Sequence, residues 1–356
     1  MEKVERPLGP LVVDIKGTQL TEEEAKVLQH PMVGMVILFA RNFENIEQLQ
    51  NLTHDIHALR NPPLLISVDH EGGRIQRFRE GFTSIPPMRS LGKLYDQDPQ
   101  RAVALTADCG LVMASELRSC GVDMTFAPCL DLDYGQSAVI GNRAFHRNPQ
   151  VVSKLAMALI GGMSQVGMCN CGKHFPGHGY VEADSHTELP EDTRDLALIR
   201  SNDEVPYVIL GTLLTGVMPA HVVYSKVDTS PAGFSSRWIS DELRGKLSFE
   251  GTVFSDDLSM KGAAVAGDLL SRANNAFAAG CDMVLICNDP EGAKSVMDDL
   301  KWIRTKIFDE RIFRLRSRGK FPSPEGLALM TNYRNAVDRI KAFNKELVEK
   351  ETSGIL

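Results

Sequence analysis

The feature that most restricts this chain is a strict alternation. Eight short apolar runs lie at residues 11–14, 35–39, 64–68, 124–127, 168–173, 216–219, 252–255 and 283–286. Each is followed by a stretch of helical periodicity, at 21–30, 46–60, 100–120, 151–166, 196–214, 236–246, 267–279 and 291–301. Strands separated by helices are joined by crossovers and so run parallel. Eight such units in about 300 residues fit a closed (β/α)₈ TIM barrel better than an open sheet. The expectation is an α/β chain with a barrel over residues 1–303. The charged, helical text of 304–356, with "VDRIKAFNKELVEKET" at its heart, reads as a short extension packed on that barrel. Some fifty residues are few for an independent core.

Composition excludes several classes. With 43% hydrophobic residues the chain can bury a large core. A formal charge of −7 and the lack of any Lys/Arg run argue against a nucleic-acid partner. No apolar run is long enough to span a bilayer, and the N-terminal text has no signal-peptide core. The seven cysteines are odd in number and include no CxxC pair, which fits reduced thiols in a cytosolic protein. A cytoplasmic monomer acting on a small molecule is expected.

A barrel places its active site at the C-terminal ends of its strands and in the loops that follow. Those places hold Asp14, Arg41-Asn42, "VDHEGG" (68–73), "APCLD" (127–131), "GKHFPGHG" (172–179), "MPAH" (218–221), "SDD" (255–257) and "CND" (287–289). Ionisable groups gather at nearly every strand end, as for a highly polar ligand. The densest stretch is "KHFPGHGYVEADSH", residues 173–186. His174 and His178 have the i, i+4 spacing of zinc ligands on a helix, but Pro176 and Gly177 between them forbid that helix. No metal is expected, and with no P-loop or dinucleotide fingerprint no cofactor either. Lys173 near a strand end leaves open a barrel lyase or aldolase working through a Schiff base, although no phosphate-binding loop accompanies it.

The carboxylates suggest another chemistry. Asp256 and Asp257 follow an apolar run, and alternation along a strand would aim only one of them into the barrel mouth. A carboxylate there, facing a loop with a proton-transfer group, is suited to glycoside cleavage: one group attacks the anomeric carbon and the other protonates the leaving oxygen. Asp184 and His186 could supply the second group. Their spacing lets the carboxylate hold one imidazole nitrogen, and an imidazole of pKa about 6.5 moves protons near neutrality.

The motifs "KHFPGHG" with "DSH", "FSDDLSM", "VDHEGGRIQRF", "GNRAF" and "MPAHVVYS" together resemble glycoside hydrolase family 3, in particular its single-domain bacterial β-N-acetylglucosaminidases of peptidoglycan recycling. The resemblance implies Asp256 as nucleophile and His186, paired with Asp184, as acid/base. It places sugar contacts on Asp69, Arg77, Arg143, Lys173 and His174. It implies a metal-independent, retaining exo-enzyme that releases GlcNAc from GlcNAc-1,6-anhydro-MurNAc muropeptides. The sequence departs from the family's pattern at His70, where Gln is usual, which adds a titratable group beside a sugar ligand. Asp257 is expected to be structural, capping the next turn or pairing with a cation, and His178 structural as well. Asp131 and His221 stand at the site without an assigned role. Trp238 and Trp302 are read as packing residues, so charged and amide groups should hold the sugar. A sugar-binding protein without turnover is disfavoured, because both catalytic groups are present.

Overall fold

The computed structural model describes residues 3–182, 189–319 and 322–353. Eight strands form the central sheet: β1 (Leu11–Val13), β2 (Val33–Leu38), β3 (Leu65–Val68), β4 (Met124–Thr125), β5 (Cys171–Phe175), β6 (Gly216–Pro219), β7 (Thr252–Asp257) and β8 (Met283–Ile286). All pairings in this sheet are parallel, in the order β4-β3-β2-β1-β8-β7-β6-β5. Parallel bridges Met124–Cys169 and Cys129–Lys173 join the two ends and close the ring. The fold is thus the (β/α)₈ barrel that the alternation implies.

The runs read as strands because both faces of a parallel barrel are covered, so no polar side is needed. All six residues of β2 are buried, as are those of β5, β6 and β8. The surrounding helices start where local chemistry starts them. Asp98-Pro99, Asn148-Pro149 and Asp289-Pro290 each put a carboxylate or amide at the N-cap and proline at the first helical position. Thr21 and Glu24 form a capping box before the helix Glu22–Leu28.

Two departures matter. The helical stretch read over 196–214 is broken into Leu196–Ser201 and Val205–Leu210. Pro206 stands in the first turn of the second piece, and Asp203 is turned inward to accept from Arg194 and the Tyr134 hydroxyl. An additional helix, Met88–Gln97, stands in the long connection after β3. At the foot of the barrel, Arg60 is fully buried and donates to five carbonyls, those of Leu28, His30, Val33, Arg6 and Pro7.

Beyond β8, the helix Lys306–Arg314 lies against the N-terminal ends of β7 and β8. Phe308 and Ile312 are buried there, and Arg311 pairs with Asp282 at 2.8 Å. The helix Thr331–Thr352 packs Ala336, Val337, Ile340 and Phe343 inward, and Arg339 grips Asp108 of the helix Pro99–Ser119 through two bonds of 2.6 and 2.8 Å. Trp238 is buried against Phe175 and Tyr224, and Trp302 packs on Phe308, so both are packing residues. All seven cysteines are buried and free. Among the described residues, no helix is long and apolar enough to cross a membrane.

Candidate active site

The C-terminal ends of the strands open into a cleft of about 510 Å³. Asp69, Glu71, Arg77, Arg143, Lys173, His174 and Asp256 all line it. Four separate chain segments therefore meet in one place, as a barrel mouth allows. Asp69 follows β3 and Asp256 lies near the C-terminal end of β7, four positions apart in a ring of eight, so they face each other across the mouth.

One wall is a buried charge network. The Lys173 ammonium lies 2.6 Å from Asp69 Oδ1 and 2.8 Å from Glu71 Oε1. Arg143 holds Glu71 bidentately, Nε to Oε2 at 2.9 Å and Nη2 to Oε1 at 2.8 Å. Arg77 reaches Asp69 Oδ2 at 3.5 Å. Burial by itself would raise the Glu71 pKa, but the Arg143 and Lys173 charges hold it well below the carboxylate range. Burial would likewise lower the Lys173 pKa, yet Asp69 and Glu71 raise it, so the ammonium stays charged. A Schiff-base lysine must present a neutral amine. The lyase reading finds no such amine at Lys173.

Glu71 was not singled out from the sequence, although a signal was there. From Asp69, alternation returns to the same face at residue 71 and puts residue 70 on the other. His70 accordingly does not line the cleft. It is fully buried among Phe78 and Phe82, with ring centroids at 5.9 and 5.8 Å, and neither ring nitrogen has a hydrogen-bond partner among the described residues. Burial, with the Arg79 and Arg77 charges, lowers its pKa to about 3. The departure from the family pattern adds no titrating group at the cleft near neutral pH.

His174 lines the cleft and is oriented from below by Asp131. Its Nδ1–H donates to Asp131 Oδ2 at 2.7 Å, and its Nε2 lies 3.5 Å from Arg143 Nη2. Asp131, 1% exposed, also accepts from the backbone N–H groups of His174 (3.2 Å) and His178 (2.6 Å). Asp131 is thus beneath the site, not in it. Burial would raise its pKa; His174 and His178 lower it well below the usual range. The peptide bond between Lys173 and His174 is cis, and both side chains line the cleft. The His178 pKa is lowered to about 4, first by burial and then by His174.

On the other wall both aspartates of "SDD" reach the cleft. The register between β7 and β8 shifts between Phe254 and Asp257, and this irregularity breaks the simple alternation expected from the sequence. Their surroundings differ. Asp256 Oδ1 accepts from the Asp257 N–H at 2.8 Å. Asp257 accepts from Ser259 N–H (3.0 Å), the Ser259 hydroxyl (2.7 Å) and Cys287 N–H (3.1 Å). It ties the turn after β7 to the end of β8, and burial raises its pKa to about 6. It caps the next turn, accepting from N–H and O–H donors. His221 is buried beneath this pair, stacked on Phe234, with Nε2 3.2 Å from the Asp257 carbonyl oxygen.

The proposed acid/base pair, Asp184 and His186, lies outside the described residues. The flanks are well tied. Glu182 lines the cleft, Tyr180 packs edge-on to Tyr134 at 5.4 Å, and the Arg194 guanidinium lies 4.1 Å above the Tyr180 ring. After the segment, Glu191–Asp192 pairs with Val223–Tyr224. Among the described residues, Cys129, Asp131 and His174 are the one group whose ligand atoms come close enough to hold a metal, all within 4.8 Å. They fit a metal poorly. The His174 and Asp131 atoms bond to each other, the Cys129 thiol donates to Asp131 at 3.2 Å, and burial pushes that thiol's pKa well above its ordinary value.

Residues 4–317 match the profile described as the glycosyl hydrolase family 3 N terminal domain. The chain belongs to glycosyl hydrolase family 3. It is 58% identical over 332 residues to the beta-hexosaminidase of Bordetella avium, covering 93% of this chain and 94% of that one. It is 53% identical over 337 residues to the beta-hexosaminidase of Nitrosospira multiformis, covering 94% and 96%. Among solved structures, native NagZ from Neisseria gonorrhoeae superposes with a TM-score of 0.91 at 45% identity, over 96% of this chain and 99% of that one. The same N. gonorrhoeae protein has been solved with N-trifluoroacetyl-D-glucosamine and with a zinc ion.

Proposed function

We propose that this family 3 β-hexosaminidase is a retaining exo-β-N-acetylglucosaminidase that removes terminal β-linked GlcNAc from GlcNAc-1,6-anhydro-MurNAc muropeptides, as a cytoplasmic monomer in cell-wall recycling. The observation that carries the reading is Asp256 facing the network of Asp69, Lys173, Glu71 and Arg143 across one cleft. A volume of about 510 Å³ suits one or two sugar rings. The N. gonorrhoeae relative binds a 2-acylamino sugar, which supports the same class of ligand here.

In this reading Asp256 attacks the anomeric carbon and forms a covalent glycosyl-enzyme. His186, held by Asp184, gives its proton to the leaving oxygen and then takes one from the incoming water. Asp69, Arg77, Arg143, Lys173 and His174 bind the sugar's polar groups, with Glu71 and Asp131 fixing Arg143, Lys173 and His174 from behind. No metal or other cofactor takes part. A route in which the substrate's own acetamide attacks would need Asp257 or Asp256 as polariser and acid. The three donors already on Asp257 speak against that role for it.

A 2-fluoro glycoside traps the intermediate. A covalent adduct on Asp256, found by peptide mass spectrometry, is the expected result. An adduct absent from Asp256, or a borohydride-stable adduct on Lys173 with substrate present, would overturn the assignment.

A further inference from the structure

Glu116 is a buried carboxylate that the hydrolytic chemistry leaves unused. It projects from the helix Pro99–Ser119 and is 6% exposed. Its oxygens accept from the Thr83 N–H at 3.1 and 3.0 Å, from the Thr83 hydroxyl at 2.6 Å and from the Tyr333 hydroxyl at 2.7 Å. Thr83 belongs to the segment 77–86, which begins with Arg77. Tyr333 belongs to the helix Thr331–Thr352, which lies beyond the residues that match the family profile. One carboxylate therefore joins the C-terminal helix to the segment that carries a cleft residue. About three turns further along the same helix, Asn344 Nδ2 donates to the Ser84 carbonyl oxygen at 2.7 Å, a second tie to the same segment.

The connection reaches Arg77 through Gln76. The Gln76 amide donates to the carbonyl oxygens of Thr83 (3.0 Å) and Phe78 (3.1 Å) and accepts from the Ile85 N–H (3.0 Å). Gln76 is thus stapled to the clamped segment, and Arg77 is its neighbour in the chain. Arg77 itself has few contacts to set its direction. Its guanidinium is 3.5 Å from Asp69 and 5.8 Å from the Phe39 ring centroid, and its buried Nε has no hydrogen-bond partner among the described residues. Its aim must come largely from the backbone at 76–77.

We infer that the C-terminal helix is a positioning element of the sugar site: Tyr333, acting through Glu116 and Thr83, fixes the segment that aims Arg77 at Asp69 and the cleft. This rests on Arg77 contacting the sugar, as proposed above. The role belongs to the extension of this chain, not to the barrel.

The test is a double-mutant cycle with Tyr333→Phe, Arg77→Ala and the pair, reading KM and kcat on 4-nitrophenyl N-acetyl-β-D-glucosaminide. Tyr333→Phe keeps the packed ring and removes only the hydroxyl. Losing one hydrogen bond to a charged group should raise KM roughly three- to tenfold, with kcat changed less than about twofold. In the Arg77→Ala background the same change should have no further effect, because the residue it acts through is gone. An equal rise of KM in both backgrounds would mean a general structural effect and would overturn the inference. Arg77→Ala raising KM while Tyr333→Phe leaves it unchanged would overturn the inference and leave the site reading intact. An Arg77→Ala without effect on KM removes both. Should Tyr333→Phe not fold, Asn344→Ala takes its place in the same cycle.

Discussion

Glu71→Gln keeps the shape of the buried network and removes one negative charge from it. Arg143 then loses its carboxylate partner, and Lys173 keeps only Asp69. Glu71 is 2% exposed and Arg143 9%, so water cannot readily replace what is lost. At an effective dielectric of about 20, each contact between Glu71 and a cation is worth about 4 kcal/mol before desolvation is counted. Breaking a buried pair by removing one partner costs about 3–5 kcal/mol net, because a charge is stranded. With unfolding entropy of about 2.1 cal/mol/K per residue, that loss lowers the midpoint by about 4–7 °C for a chain of this length. The stranded Arg143 also loses its orientation over the cleft, so KM should rise about tenfold. The assays are thermal unfolding by circular dichroism and steady-state kinetics on the nitrophenyl glycoside. A midpoint within about 1 °C of the parent and a KM within about twofold would refute the reasoning that Glu71 holds this wall together.

Three further outcomes follow from the same geometry. His70 is buried neutral with its pKa lowered to about 3, so the unfolded chain takes up the extra proton as pH falls below about 6.5, and stability is lost from there downward. His70→Gln should therefore spare about 2 kcal/mol of the loss between pH 7.5 and 5 while leaving the pH profile of kcat/KM unmoved; urea titrations at both pH values and a rate profile check this. Asp131→Asn replaces an acceptor of three N–H groups and a thiol with an amide, and kcat/KM should fall by about ten- to a hundredfold through misplacement of His174; a loss under about twofold contradicts the orienting role. Arg60→Met leaves five carbonyls at the barrel foot without their donor, and should cost about 3–5 kcal/mol in urea unfolding with KM unchanged.

Local chemistry made most of the barrel legible. The apolar runs coincide with strands because a closed parallel sheet buries both faces, and the N-cap and proline pairs mark where several helices begin. The break at 202–204 escaped because it depends on Asp203 meeting Arg194 and Tyr134, contacts that no periodicity encodes. The same limit applies in the cleft. Asp69 and Lys173 are readable as polar residues at strand ends, but Glu71 gains its importance from Arg143, 72 positions away. Asp131 looked like a site residue by position, and only its contact with His174 shows it to be a support. From the sequence His70 is expected to titrate beside a sugar ligand, but it is turned into a buried aromatic pocket off the cleft, and alternation fails at Asp256 and Asp257, where the shift of register brings both to the mouth.

The central claim is that Asp256 and His186 carry out metal-independent glycoside hydrolysis. The most direct measurement is release of 4-nitrophenol from 4-nitrophenyl N-acetyl-β-D-glucosaminide, with and without EDTA, by the parent enzyme, Asp256→Ala and His186→Ala. The account predicts turnover that survives EDTA and falls by at least about a thousandfold in Asp256→Ala, with a large loss in His186→Ala as well. Activity lost to EDTA, or retained in Asp256→Ala, would contradict it.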